Sequence, residues 1–175
     1  MILPKFDYRK VQTLQEAIEV FEKSRGRALY LAGGTDLIPR LKLRLDTPAL
    51  VIDLKGIKEM NGITRKNGVV SIGANTSIFE LKNSQTIAQN YPALAQAAWS
   101  VSCETLQIRG TVGGNILQQT RCLYYNKSFE WRKAKGFCYK SGGLLCHASG
   151  GKNVCFANYA SDLAPVFMSL NARIV

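Results

Sequence analysis

Cys122, Cys138, Cys146 and Cys155 place four thiols in one short stretch, spaced C-x15-C-x7-C-x8-C. Four thiolates ligate either a zinc ion or an iron-sulfur cluster, and this spacing leaves both open, because it lacks the C-x2-C knuckle usual in zinc ribbons and bacterial ferredoxins. Gly136, Gly142, Gly143, Gly150 and Gly151 let the backbone wrap closely, and Tyr124, Tyr125, Phe129, Trp131, Phe137 and Tyr139 can shield a centre from water. The N-terminal residues carry no apolar run of secretory type. The longest uncharged run, 83–103, contains Gln85, Gln89, Asn90, Pro92 and Gln96, which argues against a membrane span. The expected place is therefore the cytoplasm, where grouped thiols more often bind metal or act in catalysis than form disulfides. His147, the one histidine, is expected outside the ligand set, and Cys103 is expected to be a packed core thiol.

Two glycine pairs supply a second chemistry. Leu31-Ala32-Gly33-Gly34-Thr35-Asp36 sets a glycine pair between an apolar strand and the start of a helix. Without Cβ atoms the backbone turns sharply and phosphate oxygens reach the amides, while the free N–H groups of the helix end favour an anion. Thr111-Val112-Gly113-Gly114-Asn115 repeats these residue types, and Arg109 just before it can meet a phosphate or a neighbouring carboxylate. Neither segment is a spaced dinucleotide fingerprint or a P-loop, and no lysine stands in the P-loop position. Two such turns fit a diphosphate held between two subdomains better than a nucleoside triphosphate. Nothing in the chain forms an acid-base pair or a nucleophile constellation, so no catalytic residue is assigned.

The formal net charge is +11, and the excess is uneven: Arg121, Lys127, Arg132, Lys133, Lys135, Lys140 and Lys152 face Glu130 alone across residues 121–152. This basic field suits a nucleic acid, anionic cofactors, an acidic partner, or simply a solvated face. With 46% apolar and 20% charged residues the chain has the composition of a folded soluble domain, not of a disordered one.

Several elements must position these groups. Thr13 and Glu16 read as a capping box for a helix over 14–24 that buries Leu14, Ala17, Ile18 and Phe21 and ends at Gly26. Residues 27–32 and 49–54 read as strands, with a helix between them capped by Thr35 and holding Pro39 in its first turn. This order suggests a small parallel βαβ unit in a first subdomain, 1–55. In a second subdomain, 56–175, Gly62 and Gly68 flank short strands, helices are expected near 76–83 and 92–101, and Ser161 caps a helix over 162–171. Arg173-Ile174-Val175 reads as a strand beginning, which suggests a piece of a longer protein.

Three segments taken together carry a specific likeness. A-G-G-T-D-L at 32–37, Q-I-R-G-T-V-G-G-N-I at 107–116 and S-D-L-A-P-V-F at 161–167 resemble, in this order, the FAD motifs of the flavin subunit of the xanthine dehydrogenase (molybdenum hydroxylase) family. The resemblance implies an α+β, two-subdomain FAD-binding fold of the vanillyl-alcohol oxidase and molybdopterin dehydrogenase type. By that resemblance the FAD contacts are Leu31, Ala32, Gly33, Gly34, Thr35 and Asp36, then Arg109, Thr111, Val112, Gly113, Gly114 and Asn115, with Asp162 near the flavin end. Without it, Asp162 would read as a helix N-terminal charge. Gly110 departs from the family pattern, which often has a polar residue there. Residues 116–160 exceed the family's usual short connection. With R-C-x-Y-Y-N and C-H at its cysteines, this insertion is similar to that of the 4-hydroxybenzoyl-CoA reductase branch, which implies a 4Fe-4S cluster on Cys122, Cys138, Cys146 and Cys155. Implied partners are a large molybdopterin-binding subunit, a small 2Fe-2S subunit and a ferredoxin-like donor. The rival expectations are a basic nucleic-acid-binding protein with a zinc loop, and a flavin oxidoreductase that acts alone.

Overall fold

The computed structural model describes residues 2–175 and contains a parallel sheet, a hairpin and a group of short helices. Strands β1 (Asp7–Lys10), β2 (Ala28–Leu31) and β3 (Leu50–Asp53) form the sheet in the order β1-β3-β2, all parallel, with Tyr8 and Leu29 both level with Val51. The central strand β3 is apolar on both faces, as expected of a parallel strand covered on each side, and Val51 and Ile52 are fully buried. Sequence alone misses β1. Asp-Tyr-Arg-Lys is exposed at all four positions on the sheet edge and has no hydrophobic alternation to announce it.

Helix α1 (Leu14–Lys23) crosses from β1 to β2 and starts where expected, with Thr13 Oγ1 accepting from the Glu16 N–H at 3.1 Å. The Glu16 carboxylate reaches back to the N–H of Gln12 instead of Thr13 and also takes Arg9 at 2.9 Å. The buried face differs from the expected one. Ala17 and Val20 point into the core and Phe21 lies at its edge, whereas Leu14 and Ile18 are about half exposed. The core they enter holds Val11, Ala28, Ile52 and Ile57, and small Ala17 and Ala28 let the helix lie close to the sheet. Helix α2 (Leu37–Lys42) leads from β2 toward β3; its cap position is Asp36, not Thr35.

The chain then forms an antiparallel hairpin, β4 (Ile63–Lys66) and β5 (Val69–Ile72), that turns at Asn67-Gly68, both with positive φ. Helices α3 (Ile78–Asn83), α4 (Gln85–Asn90), α5 (Pro92–Ser100) and α6 (Glu104–Arg109) pack a second core around Ile78, Leu81, Ile87, Leu94 and Ala98. Helices α4 and α6 are six residues long, less than two turns and too short to show a periodicity. Ser77 and Glu80 form a reciprocal capping box on α3. Helix α7 (Val112–Ile116) carries the second glycine pair, α8 (Phe129–Lys135) lies in the insertion with no buried residue, and α9 (Ala164–Ser169) closes the second core through Leu163. The expected strand at 173–175 does not form: these residues are exposed and have no pairing partner among the described residues, so the apolar Ile174 and Val175 alone do not make a strand. Among the described residues no helix is long and apolar enough to cross a membrane.

Candidate cofactor sites

The first glycine turn leaves β2 at the carboxyl end of the sheet, the end at which open parallel sheets bind ligands. Gly34 has φ +80°, and Gly33 lies so close to α6 that a Cβ there would stand 1.9 Å from the Arg109 carbonyl oxygen. The two motifs, distant in sequence, therefore meet backbone to backbone. Between them opens a cleft of roughly 700 Å³, within the usual range for a ligand site. Six residues expected from sequence line it: Leu31, Gly33, Gly34, Thr35, Arg109 and Thr111.

The other expected FAD residues do not line this cleft. Val112 and Asn115 are buried, and a Cβ on Gly113 would press on Ala74 at 3.0 Å. The second glycine pair does not follow a strand. It lies inside α7, whose start is capped by Thr111 Oγ1 accepting from the Gly114 N–H at 3.1 Å. Asn115 joins the second and third motifs: its Oδ1 accepts from the Ser161 hydroxyl at 2.8 Å and the Leu163 N–H at 3.1 Å, and its Nδ2 donates to Asp162 Oδ2 at 2.8 Å. Ser161 takes the Ala164 N–H at 3.0 Å, but the helix starts two residues later than expected and its cap position is Leu163, not Ser161. Ala32 offers its carbonyl to Lys55. Asp36 accepts from the Gln119 N–H at 3.0 Å and pairs with Arg121. Sequence reasoning missed Lys42, Lys55, Asn75 and Ser77 in the cleft wall, since none belongs to a glycine motif.

Electrostatics suit an anion here. Lys42, Lys55 and Arg109 line the cleft against one carboxylate, Glu80, and that carboxylate is turned back onto the N–H and hydroxyl of Ser77. Burial pushes the Asp53 carboxyl up, but hydrogen bonds from Lys55 and Tyr8 outweigh it and hold Asp53 below the usual carboxylate range.

The insertion forms a separate recess, and all four of Cys122, Cys138, Cys146 and Cys155 line it together with Tyr124, Tyr125 and His147. Backbone turns present the thiols. The Cys138 carbonyl accepts from the N–H groups of Ser141 and Gly143, both at 2.9 Å, and the Cys146 carbonyl accepts from Gly150 at 2.8 Å. Gly143 admits no side chain, because a Cβ would stand 1.7 Å from the Phe137 carbonyl oxygen. The Ser149 hydroxyl and the backbone N–H groups of Phe156, Ser149 and Ala148 outweigh burial and lower the Cys146 thiol to about 7. His147 donates from Nε2 to the Gly136 carbonyl at 2.8 Å, a link within the wall. Among the described residues no three His, Cys, Asp or Glu side chains converge closely enough to hold one metal ion. A single zinc needs four ligands about 2 Å from one point, whereas a cluster spreads its four thiolates around a larger core. Cys103 is not a core thiol. It sits exposed at the cap position of α6, 3.2 Å from the Thr105 hydroxyl, because a helix cap faces outward.

Polar contacts tie the recess to the first glycine turn. Besides the Asp36 links to Gln119 and Arg121, buried Arg40 of α2 donates to Asn126 at 3.0 Å and stacks 5.4 Å over the Tyr125 ring. Arg132 and Lys140 approach the same ring at 5.7 and 5.2 Å. Part of the insertion's positive charge is thus committed to internal contacts.

Comparison with known proteins decides the family. Residues 4–175 match the FAD binding domain in molybdopterin dehydrogenase. The chain belongs to this family. Among similar proteins, the carbon monoxide dehydrogenase medium chain of Hydrogenophaga pseudoflava is 36% identical over 116 residues, 66% of this chain and 40% of that one. The aldehyde oxidoreductase FAD-binding subunit PaoB of Escherichia coli is 30% identical over 174 residues, 97% of this chain and 54% of that subunit. The PaoB match therefore extends across the insertion. A solved structure of the Hydrogenophaga carbon monoxide dehydrogenase, in a form lacking the Mo-pyranopterin moiety, superposes with a TM-score of 0.65 at 36% identity over 66% of this chain and 40% of that one. The expected fold class, the mixed helix and strand FAD-binding fold, thereby stands. The chain spans about half the length of these relatives or less.

Proposed function

We propose that this chain is the flavin-binding part of an electron-transfer subunit in a molybdenum-containing oxidoreductase complex, with a 4Fe-4S cluster held by Cys122, Cys138, Cys146 and Cys155. One observation carries the two-cofactor reading: all four thiols of the insertion line a single recess, and that recess is fastened by Asp36 and Arg40 to the turn of the FAD motif. In this reading Leu31, Gly33, Gly34, Thr35, Arg109 and Thr111 contact FAD. Ala32, Asp36, Val112, Gly113, Gly114, Asn115 and Asp162 complete the FAD set of this reading, with Asn115 joining the second motif to Ser161 and Asp162 of the third. FAD supplies exchange of one or two electrons when bound, and the protein supplies its position and its anion-stabilising charges.

The partners of the reading are a large molybdopterin-binding subunit, a small 2Fe-2S subunit and a ferredoxin-like donor, in the cytoplasm, with the flavin part in the first and second subdomains at 1–55 and 56–175. Relatives of the family are named for reactions as different as those of carbon monoxide dehydrogenase and aldehyde oxidoreductase, which agrees with a flavin part remote from substrate. Reductive dehydroxylation of 4-hydroxybenzoyl-CoA is the activity suggested by the insertion's flanking residues alone. The zinc and nucleic-acid reading is the weaker one, since it leaves both glycine turns and the family match unexplained.

The test is the iron, acid-labile sulfide, zinc and flavin content of protein purified without oxygen. About four iron, four sulfide and one FAD per chain is the expected result. Zinc without sulfide or flavin would overturn the reading.

A further inference from the structure

We propose that Lys55 is the fixed cation of the diphosphate site at the first glycine turn, a role that rests on the FAD reading of the cleft. A dinucleotide diphosphate carries negative charge, and the chain has no P-loop lysine to meet it. Lys55 comes from outside every glycine motif. It follows β3 directly, and because Asp53 of β3 is level with Leu31 of β2, it emerges beside the turn at Gly33-Gly34.

Its ammonium is held from two sides. Nζ donates to the Ala32 carbonyl, one residue before Gly33, at 3.1 Å, and to Asp53 Oδ1 at 2.7 Å. Asp53 is itself buried and is steadied by the Tyr8 hydroxyl and by the Lys55 N–H at 2.9 Å. An ammonium has three donors. Two are engaged among the described residues, and the side chain, 45% exposed, lines the cleft. Lys42 and Arg109 also line it, but no side-chain hydrogen bond fixes either among the described residues, so Lys55 is the pre-oriented charge. A cation held in advance loses little rotamer freedom when an anion arrives. Asp53 and Tyr8 are positioning residues in this arrangement.

The experiment titrates the deflavinated full-length protein with FAD and, separately, with riboflavin, which has no phosphate. Lys55→Gln is expected to weaken FAD about tenfold or more, as loss of a charge-assisted hydrogen bond does, and to leave riboflavin affinity within twofold. Its FAD affinity is also expected to fall less steeply with salt than that of the wild type. Lys55→Arg, which keeps the charge, is expected to recover most of the loss. Unchanged FAD affinity in Lys55→Gln would overturn the proposal, and so would an equal loss for FAD and riboflavin, which would assign Lys55 to bracing β3. Should Lys55→Gln prove unfolded by circular dichroism, the wild type decides: the same salt dependence for FAD and riboflavin overturns the proposal. Wild-type protein that binds no FAD at all would instead overturn the reading of the cleft.

Discussion

The cleft and the cysteine recess lie on the same chain yet are built in opposite ways. The cleft stands between two hydrophobic cores, and its walls touch through backbone at Gly33 and Arg109, so its shape exists before any ligand enters. The recess has almost no apolar support. Apart from Cys138 and Cys146 the insertion buries no hydrophobic residue, and Leu117, Leu123, Leu144 and Phe156 are exposed. It is held by turns at its glycines, by the Asp36 and Arg40 links, and by a root in which Gln118 donates to the Ala160 carbonyl while Asn115 binds Ser161 and Asp162. A long insertion is tolerated because its ends are tied together at the root. The cleft is therefore stabilised by packing, whereas the recess depends on polar contacts and on whatever its thiols bind.

The harshest way to break this contrast is a substitution at the backbone contact. Gly33→Ala is expected to lose FAD and to destabilise the protein by about 3 kcal/mol, because the Arg109 carbonyl 1.9 Å from the new Cβ is a backbone group at the end of α6 and cannot rotate aside as a side chain could. Gly114→Ala meets only the Thr111 hydroxyl, at 2.9 Å, and is expected to cost about 1 kcal/mol through the cap it disturbs. Thermal unfolding and flavin content check both, and equal effects would mean that the two glycine pairs do the same work. Next in size, Cys138→Ser is expected to abolish bound iron while most FAD stays. Iron content unchanged in that variant would remove Cys138 from the ligand set.

Sequence made some of this legible and concealed the rest for definite reasons. The helix behind Thr13 and the strand before Gly33 are readable because each has a local signal within four residues. On α1 the expected Ala17 is buried, but Leu14 and Ile18 satisfy helical spacing as well as Val20 does, and only the sheet's position decides that Val20 goes inside in their place. The four cysteines were found as a group from their residue type. That they share one recess follows from the turns at Gly143 and Gly150, which spacing does not encode. Lys55 could not be found at all, because its relation to Gly33 exists only through the parallel register of β2 and β3.

A milder change sharpens the division of labour at Asp36. Read as an FAD contact, Asp36→Asn should weaken flavin binding. Read from its bonds to Gln119 and Arg121, it should leave FAD largely in place and loosen the insertion. The second outcome is expected: faster limited proteolysis within 117–160, with FAD affinity changed less than threefold, consistent with about 0.5 kcal/mol for a partly exposed ion pair. A flavin loss larger than that, with unchanged proteolysis, would return Asp36 to the cofactor.

The smallest effect expected concerns pH and belongs to the packed half alone. Asp53 is held below the ordinary carboxylate range in the folded protein, with Lys55 and Tyr8 as partners, so the folded state favours its charged form. Its contribution is fully present above the unfolded value, about 4, and is lost as pH falls through the lower folded value. Melting temperature is therefore expected to drop more steeply below about pH 4 in the wild type than in Asp53→Asn, while at neutral pH the variant is the less stable of the two. Because the recess shares none of these groups, proteolysis of the insertion should not follow the same acid profile. Parallel curves for wild type and variant would mean that Asp53 gains nothing from its partners, and would weaken the account of how Lys55 is held.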